Sequence, residues 1–292
     1  MTPEHLFPTI VVGAAFSPHL DAVLKEAIRL TEKWGKRLVI THVERNKETE
    51  AESRLRGAID SVINQFDKLP SLKIDIVMRG GRVVDELMAV ASEESADLML
   101  IGANVHESML TRWKGSASRR LAREAPCSVM MLPTPKQHPT PFSRIVVAVD
   151  ESDASEWALA TAAALARLEP AEKLTAVWEY RVPGLSAAIA EGRSVEQANA
   201  LQQQLHTDEE IRLRSFLQTA DLYGLPVEAV CLYGEPGWVV NEYAREHAGD
   251  LLVIPAPVDH TGLYCRLFPH DEEHVLSDLP CELLLVRQKR QT

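Results

Sequence analysis

The chain has 292 residues, 25% of them charged, and a formal net charge of −11 at pH 7. This length allows two domains with substantial hydrophobic cores, while the acidic balance disfavours nucleic acid, whose phosphates need a basic protein surface. No apolar run approaches the roughly 20 residues of a membrane span and the N-terminus has no signal-peptide pattern, so we expect a cytoplasmic protein without a membrane span.

The first half of the chain alternates short apolar runs with amphipathic stretches. Strands are predicted at 9–14, 37–43, 72–78, 98–101 and 128–132, and helices at 20–34, 47–66, 83–92 and just before Pro126. This alternation predicts an α/β fold with a parallel, doubly wound sheet. A ligand then belongs at the carboxyl ends of the strands, at the switch point of the sheet.

The pattern restarts after a segment rich in proline and polar residues. Strands are predicted at 144–150, 174–180, 227–231, 251–254 and 283–286, helices at 155–168 and 238–247, and a longer helical excursion within 185–223. The stretch from Asp97 to Pro126 is repeated from Asp250 to Pro280, with a spacing that differs by one residue. The chain is therefore an internal duplication, with predicted domains at 1–136 and 142–289 and a linker at 137–141.

Several short sequences occur in both halves at matching positions. They are VVGAAFS and VVAVDES in the first strands, the turns at Gly81 and Gly234, and the paired endings APCSVMMLP and LPCELLLVR. Both halves therefore resemble the universal stress protein family. The whole chain resembles the family's tandem, UspA-like members. The resemblance implies two Rossmann-like domains of the adenine-nucleotide alpha hydrolase type, each with five parallel strands, related by a pseudo-two-fold axis. It also implies a stress-response protein that acts by ligand or nucleotide binding and not by catalysis.

Nucleotide-binding members of the family carry a loop of the form G-x2-G-x9-G-[ST]. Gly102, Gly115 and Ser116 fall at these spacings, Ser118 follows, and Val105 replaces the middle glycine. A valine places a side chain where the backbone would approach a phosphate. The alternative explanation is structural, with Gly102 as a strand-to-loop turn and the Gly115-Ser116 pair as a helix N-cap.

The resemblance also implies an acidic residue at the end of the first strand. The first half has Ala15 there and the second has Asp150, and the candidate nucleotide-binding set includes Val43 as well. In the second half, Pro255 and Val258 replace the two early glycines of the loop. Neither half holds a complete family site. Two interpretations stay open: the first half binds ATP or a related nucleotide, or both sites have decayed.

Other ligands and activities are weaker alternatives. His270 and His274 are four residues apart and would share one helical face, so that with Cys265 they form a candidate zinc site. A polar helix start explains the same residues without a metal. Slow ATP hydrolysis in the first half needs a water-positioning residue that Ala15 does not supply. An apolar or lipid-like ligand between the halves is a further alternative.

The last strand of each half is apolar and needs a partner. Pairing the strands at 129–132 and 283–286 antiparallel would cover both edges, so we expect intramolecular domain pairing through them. Homodimerisation of the tandem chain stays an additional hypothesis. Cys127 and Cys281 occupy matching positions before these strands, which indicates packing and not disulfides.

Overall fold

A computed structural model describes residues 5–44, 50–66, 72–102, 120–121, 123–181, 195–256 and 279–288. The strands are β1 Thr9–Gly13, β2 Arg37–Glu44, β3 Lys73–Gly80, β4 Leu98–Gly102, β5 Ser128–Leu132, β6 Arg144–Val149, β7 Lys173–Tyr180, β8 Val227–Tyr233, β9 Leu251–Pro255 and β10 Glu282–Val286. The helices are α1 Leu20–Trp34, α2 Ala51–Ile63, α3 Val83–Glu93, α4 Asp153–Leu168, α5 Val195–Phe216 and α6 Trp238–Glu246. None of the helices in the described ranges is long and apolar enough to cross a membrane.

The ten strands form one sheet, in the order β3-β2-β1-β4-β5-β10-β9-β6-β7-β8. Each half contributes five parallel strands, and the halves meet where β5 pairs antiparallel with β10. Met130 pairs with Leu284 at the centre of this junction, and these residues occupy the same position in the two copies of the sequence. A pseudo-two-fold axis therefore passes between them, and the predicted pairing of the last strands is confirmed.

Two apolar layers cover the faces of the sheet. One contains α1 and α4 with the buried Trp34 between the halves, and the other contains α3 and α6. Every residue of β5 and β10 is buried, as expected for strands at the centre of a sheet that is covered on both faces. Cys127 and Cys281 are buried free thiols in the second layer, which confirms their packing role.

The repeated aspartates, Asp97 and Asp250, accept hydrogen bonds from the first residue of β1 and of β6. Asp97 Oδ2 accepts a hydrogen bond from the Thr9 backbone N–H at 2.8 Å. Asp250 accepts the equivalent bond from Arg144 N–H at 3.0 Å, and another from Ser143 N–H at 2.7 Å. Burial raises the pKa of the Asp250 carboxyl, although these N–H donors oppose the shift. The aspartate that the two copies share thus makes the same structural contact in each half.

The outer ends of the sheet carry a duplicated ion pair. Arg37 Nε lies 2.6 Å from Asp75 Oδ2, between β2 and β3, and Lys173 Nζ lies 2.5 Å from Glu228 Oε2 at the matching position between β7 and β8. The hydrogen bond from Arg37 lowers the pKa of Asp75. Charged side chains on edge strands discourage pairing with another chain.

The third strand of each half is longer than predicted. The strands were predicted to end at residues 78 and 231, with the turns beginning before Gly81 and Gly234. In the structure β3 continues to Gly80 and β8 to Tyr233. The turns occur only at Gly81 and Gly234, whose φ values of 150° and 157° favour glycine. The predicted helical excursion contains α5, followed by a short 3₁₀ turn, Leu217–Thr219.

Candidate functional site

The switch point of each half lies between its first and fourth strands. β1 has β2 on one side and β4 on the other, and β6 lies likewise between β7 and β9. Chain connections leave this point in opposite directions, which opens a crevice at the carboxyl ends of the strands. Among the predicted residues of the first half, Ala15 follows β1 and Gly102 ends β4. In the second half, Asp150 follows β6 and Pro255 ends β9.

Gly102 ends β4 directly against helix α1. A Cβ added to Gly102 would lie 2.4 Å from Val23 Cγ2, far inside van der Waals contact. Packing of α1 therefore explains this glycine, whether or not a nucleotide binds. The remaining loop residues that the sequence singles out lie outside the described residues: Val105, Gly115, Ser116 and Ser118.

Residues of the loop after β1 contact an imidazole and a guanidinium group. Ala14 O accepts a hydrogen bond from His42 Nδ1 at 2.7 Å, which fixes the position of the imidazole. The His42 and Phe16 rings lie 4.5 Å apart between centroids, and the Arg54 guanidinium lies 4.3 Å from the Phe16 centroid. Ala15 is exposed in this loop. The mouth of the first half thus combines an aromatic pair with the Arg54 cation and with the Glu44 carboxylate, which lies 3.7 Å from His42 Nε2.

Val43 lies one position before the end of β2. Its side chain is half-buried and packs against the apolar layer that contains α3. It carries no hydrogen-bonding group, so any contact that it makes with a ligand is apolar.

In the second half, the Asp150 carboxylate is bound to the start of α4. Asp150 Oδ1 accepts hydrogen bonds from Ser152 N–H at 2.9 Å and from Ser155 Oγ at 2.6 Å. Ser152 Oγ in turn accepts the Ser155 N–H at 3.2 Å and caps the helix. The acidic residue that the family resemblance points to is therefore engaged by its own loop.

Glu179 of β7 occupies the position that matches Val43, and it caps helix α6. Its Oε1 accepts hydrogen bonds from the backbone N–H groups of Gly237, at 2.9 Å, and Val240, at 3.0 Å. These groups form the positive end of the helix dipole, where a carboxylate is favoured. Sequence reasoning missed this contact because the partners are 58 and 61 residues apart, and a glutamate at a strand end gives no indication of where it binds.

The two mouths differ in charge at three aligned positions. Uncharged residues of the first half stand where the second half has carboxylates: Ala15, Phe16 and Val43 against Asp150, Glu151 and Glu179. The second half thus has carboxylates at these three positions, whereas the first half has none there. The first half instead has Glu44, 3.7 Å from His42 Nε2, where the second half has Tyr180.

Two other ligand sites were predicted, a zinc site and a site for an apolar or lipid-like ligand between the halves. His270, His274 and Cys265 lie outside the described residues, and within the described ranges no group of three or more His, Cys, Asp or Glu side chains is arranged to hold a metal. A cavity between the halves is lined by residues that include Glu26, Lys136 and Glu282, and its volume of about 10 Å³ suits a single water molecule. This space is too small for a lipid-like ligand.

Comparisons with known proteins give a family and a set of folds. The universal stress protein family model matches residues 7–133 and again 141–287. No curated protein sequence matches the chain. A universal stress protein from Archaeoglobus fulgidus DSM 4304 superposes with a TM-score of 0.62 at 12% identity, over 99% of this chain and 98% of that one. A putative universal stress protein from Pseudomonas aeruginosa UCBPP-PA14 gives 0.62 at 16%, over 97% and 94%. At these identities the solved structures show the fold alone.

Proposed function

Because this chain belongs to the universal stress protein family and carries the family domain twice, we propose that it acts in the stress response by binding a nucleotide in its first half. The nucleotide is ATP or a close relative. The protein works by occupancy of the switch-point crevice and not by turnover of the ligand.

The observation that carries this proposal is the charge difference between the two mouths. A phosphate group brought near Glu179 or Asp150 would meet like charges, and the N–H groups at the start of α6 are already bonded. Pro255, at the end of β9, offers no N–H to an anion. None of these obstacles exists at the matching positions of the first half, so an anionic ligand is favoured there.

The first half also offers contacts that suit a nucleotide. The half-buried Phe16 presents an aromatic ring on which a base can stack, with the buried His42 behind it, and Arg54 places a positive charge beside Phe16. The end of β4 at Gly102 leads into the loop whose spacing matches the family's phosphate-binding pattern.

Occupancy without turnover is supported by the composition of the loop after β1. Hydrolysis needs a group that positions water or holds a metal ion beside the phosphates. Ala15 supplies neither function at the position where a carboxylate would serve. We therefore assign the protein a binding role, with slow hydrolysis as the competing activity to be tested.

Equilibrium dialysis with ATP tests the binding site. Wild-type protein should take up one ATP per chain at millimolar concentration, and Val43→Glu, which installs the carboxylate of the second half, should lose at least about tenfold in affinity. Ile211→Glu is the matched control, since Ile211 is 58% exposed on α5. Absence of uptake by the wild type, or equal uptake by Val43→Glu, would remove the proposed site.

A phosphate-release assay separates binding from turnover. We expect no release above background from wild-type protein saturated with ATP. Sustained release that disappears in Gly115→Trp, a variant of the family's loop, would instead establish hydrolysis in the first half.

A further inference from the structure

The pseudo-two-fold axis brings two matching helix positions into contact. From Ile10 and Ile145, which are equivalent in β1 and β6, the two copies align without a gap through α1 and α4, so that Trp34 corresponds to Glu169. The buried positions of the two helices agree with this alignment. Trp34 Nε1 donates a hydrogen bond to Glu169 Oε1 at 2.7 Å, across 135 residues. Equivalent residues contact each other only beside the axis.

Glu169 is buried, and most of its donors come from the other half. Glu169 as a whole is only 2% exposed to solvent. Besides the indole of Trp34, it accepts a hydrogen bond from Arg29 Nη1 at 2.8 Å and lies 3.5 Å from Lys33 Nζ. Phe142 N–H, at the end of the linker, donates to the same carboxylate at 3.2 Å. A buried carboxylate of the second half thus depends on cations and an indole of the first.

The second half has no cations at the positions that match Arg29 and Lys33. In α4 the positions that match Arg29 and Lys33 hold Ala164 and Leu168. If two second halves met through the same surface, two Glu169 carboxylates would face each other beside the axis without a cation. Buried charges without partners are strongly destabilising.

Two first halves would be mismatched in the opposite sense. Two Trp34 indoles would meet beside the axis, and each N–H would lose its acceptor. Arg29, which is bonded to Glu26 and Glu169 together, would keep only Glu26. A buried donor that loses its partner costs stability.

We propose that the contact between Trp34 and Glu169 makes the two halves of this chain specific for each other. Each half presents a surface along β5 or β10 that accepts the unlike half and rejects a second copy of itself. Specificity of this kind combines favourable contacts in the correct pair with uncompensated buried groups in the wrong pairs.

Separating the halves after folding tests the pairing. A protease site inserted after His138, an exposed linker residue, allows the full chain to be cut. The cut protein is then unfolded in urea and refolded, and native mass spectrometry counts like and unlike pairs. Unlike pairs should exceed like pairs by at least about tenfold. Comparable numbers of like pairs in the wild type would overturn the proposal.

Glu169→Gln tests whether this carboxylate sets the preference. Pairs of two second halves should rise about fivefold or more, because the facing charges are gone. Glu172→Gln is the matched control, since Glu172 is an exposed carboxylate three positions away. An unchanged distribution of pairs in Glu169→Gln would assign the preference to other contacts and contradict the proposal.

A double-mutant cycle in the uncut chain tests the contact between Trp34 and Glu169 independently. It also applies if the cut halves fail to refold. Trp34→Phe and Glu169→Leu, which removes both acceptor oxygens, should each lower the urea midpoint. The double variant should lose clearly less than the sum of the two, because both changes remove the same contact. Additive losses would show that the two residues are not coupled and would end the argument for mutual specificity.

Discussion

Gly102 and Val23 are in such close contact that no side chain fits between them. The Cβ of any other residue at position 102 would lie 2.4 Å from Val23 Cγ2. Val23 is buried and β-branched, so it has little freedom to rotate away. The contact fixes the end of β4 against α1 and so sets one wall of the switch-point crevice.

Gly102→Ala should destabilise the protein by about 1–3 kcal/mol, the usual cost of overpacking. Urea denaturation measures the change. The double variant Val23→Ala/Gly102→Ala should lose less stability than the sum of the two single variants, because the smaller residue makes room. Gly57→Ala is the control: nothing lies within 4 Å of its added Cβ on α2. That substitution should stabilise by about 0.5–1 kcal/mol. Losses that add for Val23→Ala and Gly102→Ala would disprove the steric explanation.

Removal of either repeated aspartate should weaken its own half of the sheet. Asp97→Ala leaves the Thr9 N–H without its carboxylate acceptor, and Asp250→Ala does the same to two backbone N–H groups. We expect a loss of about 1–3 kcal/mol for each in urea denaturation. Asp60→Ala, an exposed position on α2, should change stability by less than about 0.5 kcal/mol. Losses no larger than this control would mean that the duplicated contact is not stabilising.

Glu282 should make stability fall as the pH rises. Its side chain is buried at the start of β10, and this burial raises its pKa above the ordinary value of 4.5, with Lys136 opposing the shift and Glu26 adding to it. The folded chain therefore retains a proton that the unfolded chain has already lost, and stability declines from pH 4.5 upward through the folded-state pKa.

Thermal unfolding of Glu282→Gln between pH 4.5 and pH 8 checks this effect. The variant should be more stable than the wild type at pH 8. Its advantage should shrink towards pH 4.5, because protonation makes the wild-type carboxyl uncharged like the amide of the variant. The exposed Glu172→Gln should follow the wild type throughout. An advantage that is constant with pH would show that titration of Glu282 is not its cause.

Glu179→Ala should remove the cap of α6 at a cost of about 0.5–2 kcal/mol, the range for lost helix caps. The N–H groups of Gly237 and Val240 would then be available to a free anion. Added sulfate should therefore raise the melting temperature of this variant more than that of the wild type. Glu246→Ala, at an exposed position of the same helix, serves as the control. An equal response of all three proteins to sulfate would contradict the capping role.

Local signals predicted the elements, whereas contacts distant in sequence stayed hidden. The helix at 20–34 was predicted with its observed bounds, because Pro18 precedes it and Gly35 ends it. The junction of the two halves followed from two apolar last strands that both needed a partner. By contrast, nothing in the sequence joins Glu179 to Gly237 or Trp34 to Glu169. These contacts depend on where the sheet and the axis place each residue.

The central position of β5 and β10 has a consequence for synthesis of the chain on the ribosome. β5 ends at Leu132 but its neighbour β10 begins only at Glu282, so 150 residues must be added before the sheet can close. At about 5–20 residues per second this delay lasts roughly 8–30 s. During that interval the apolar edge of β5 is open to other nascent chains on the same messenger RNA. Ribosome spacing and chaperone access should therefore influence the yield of this protein.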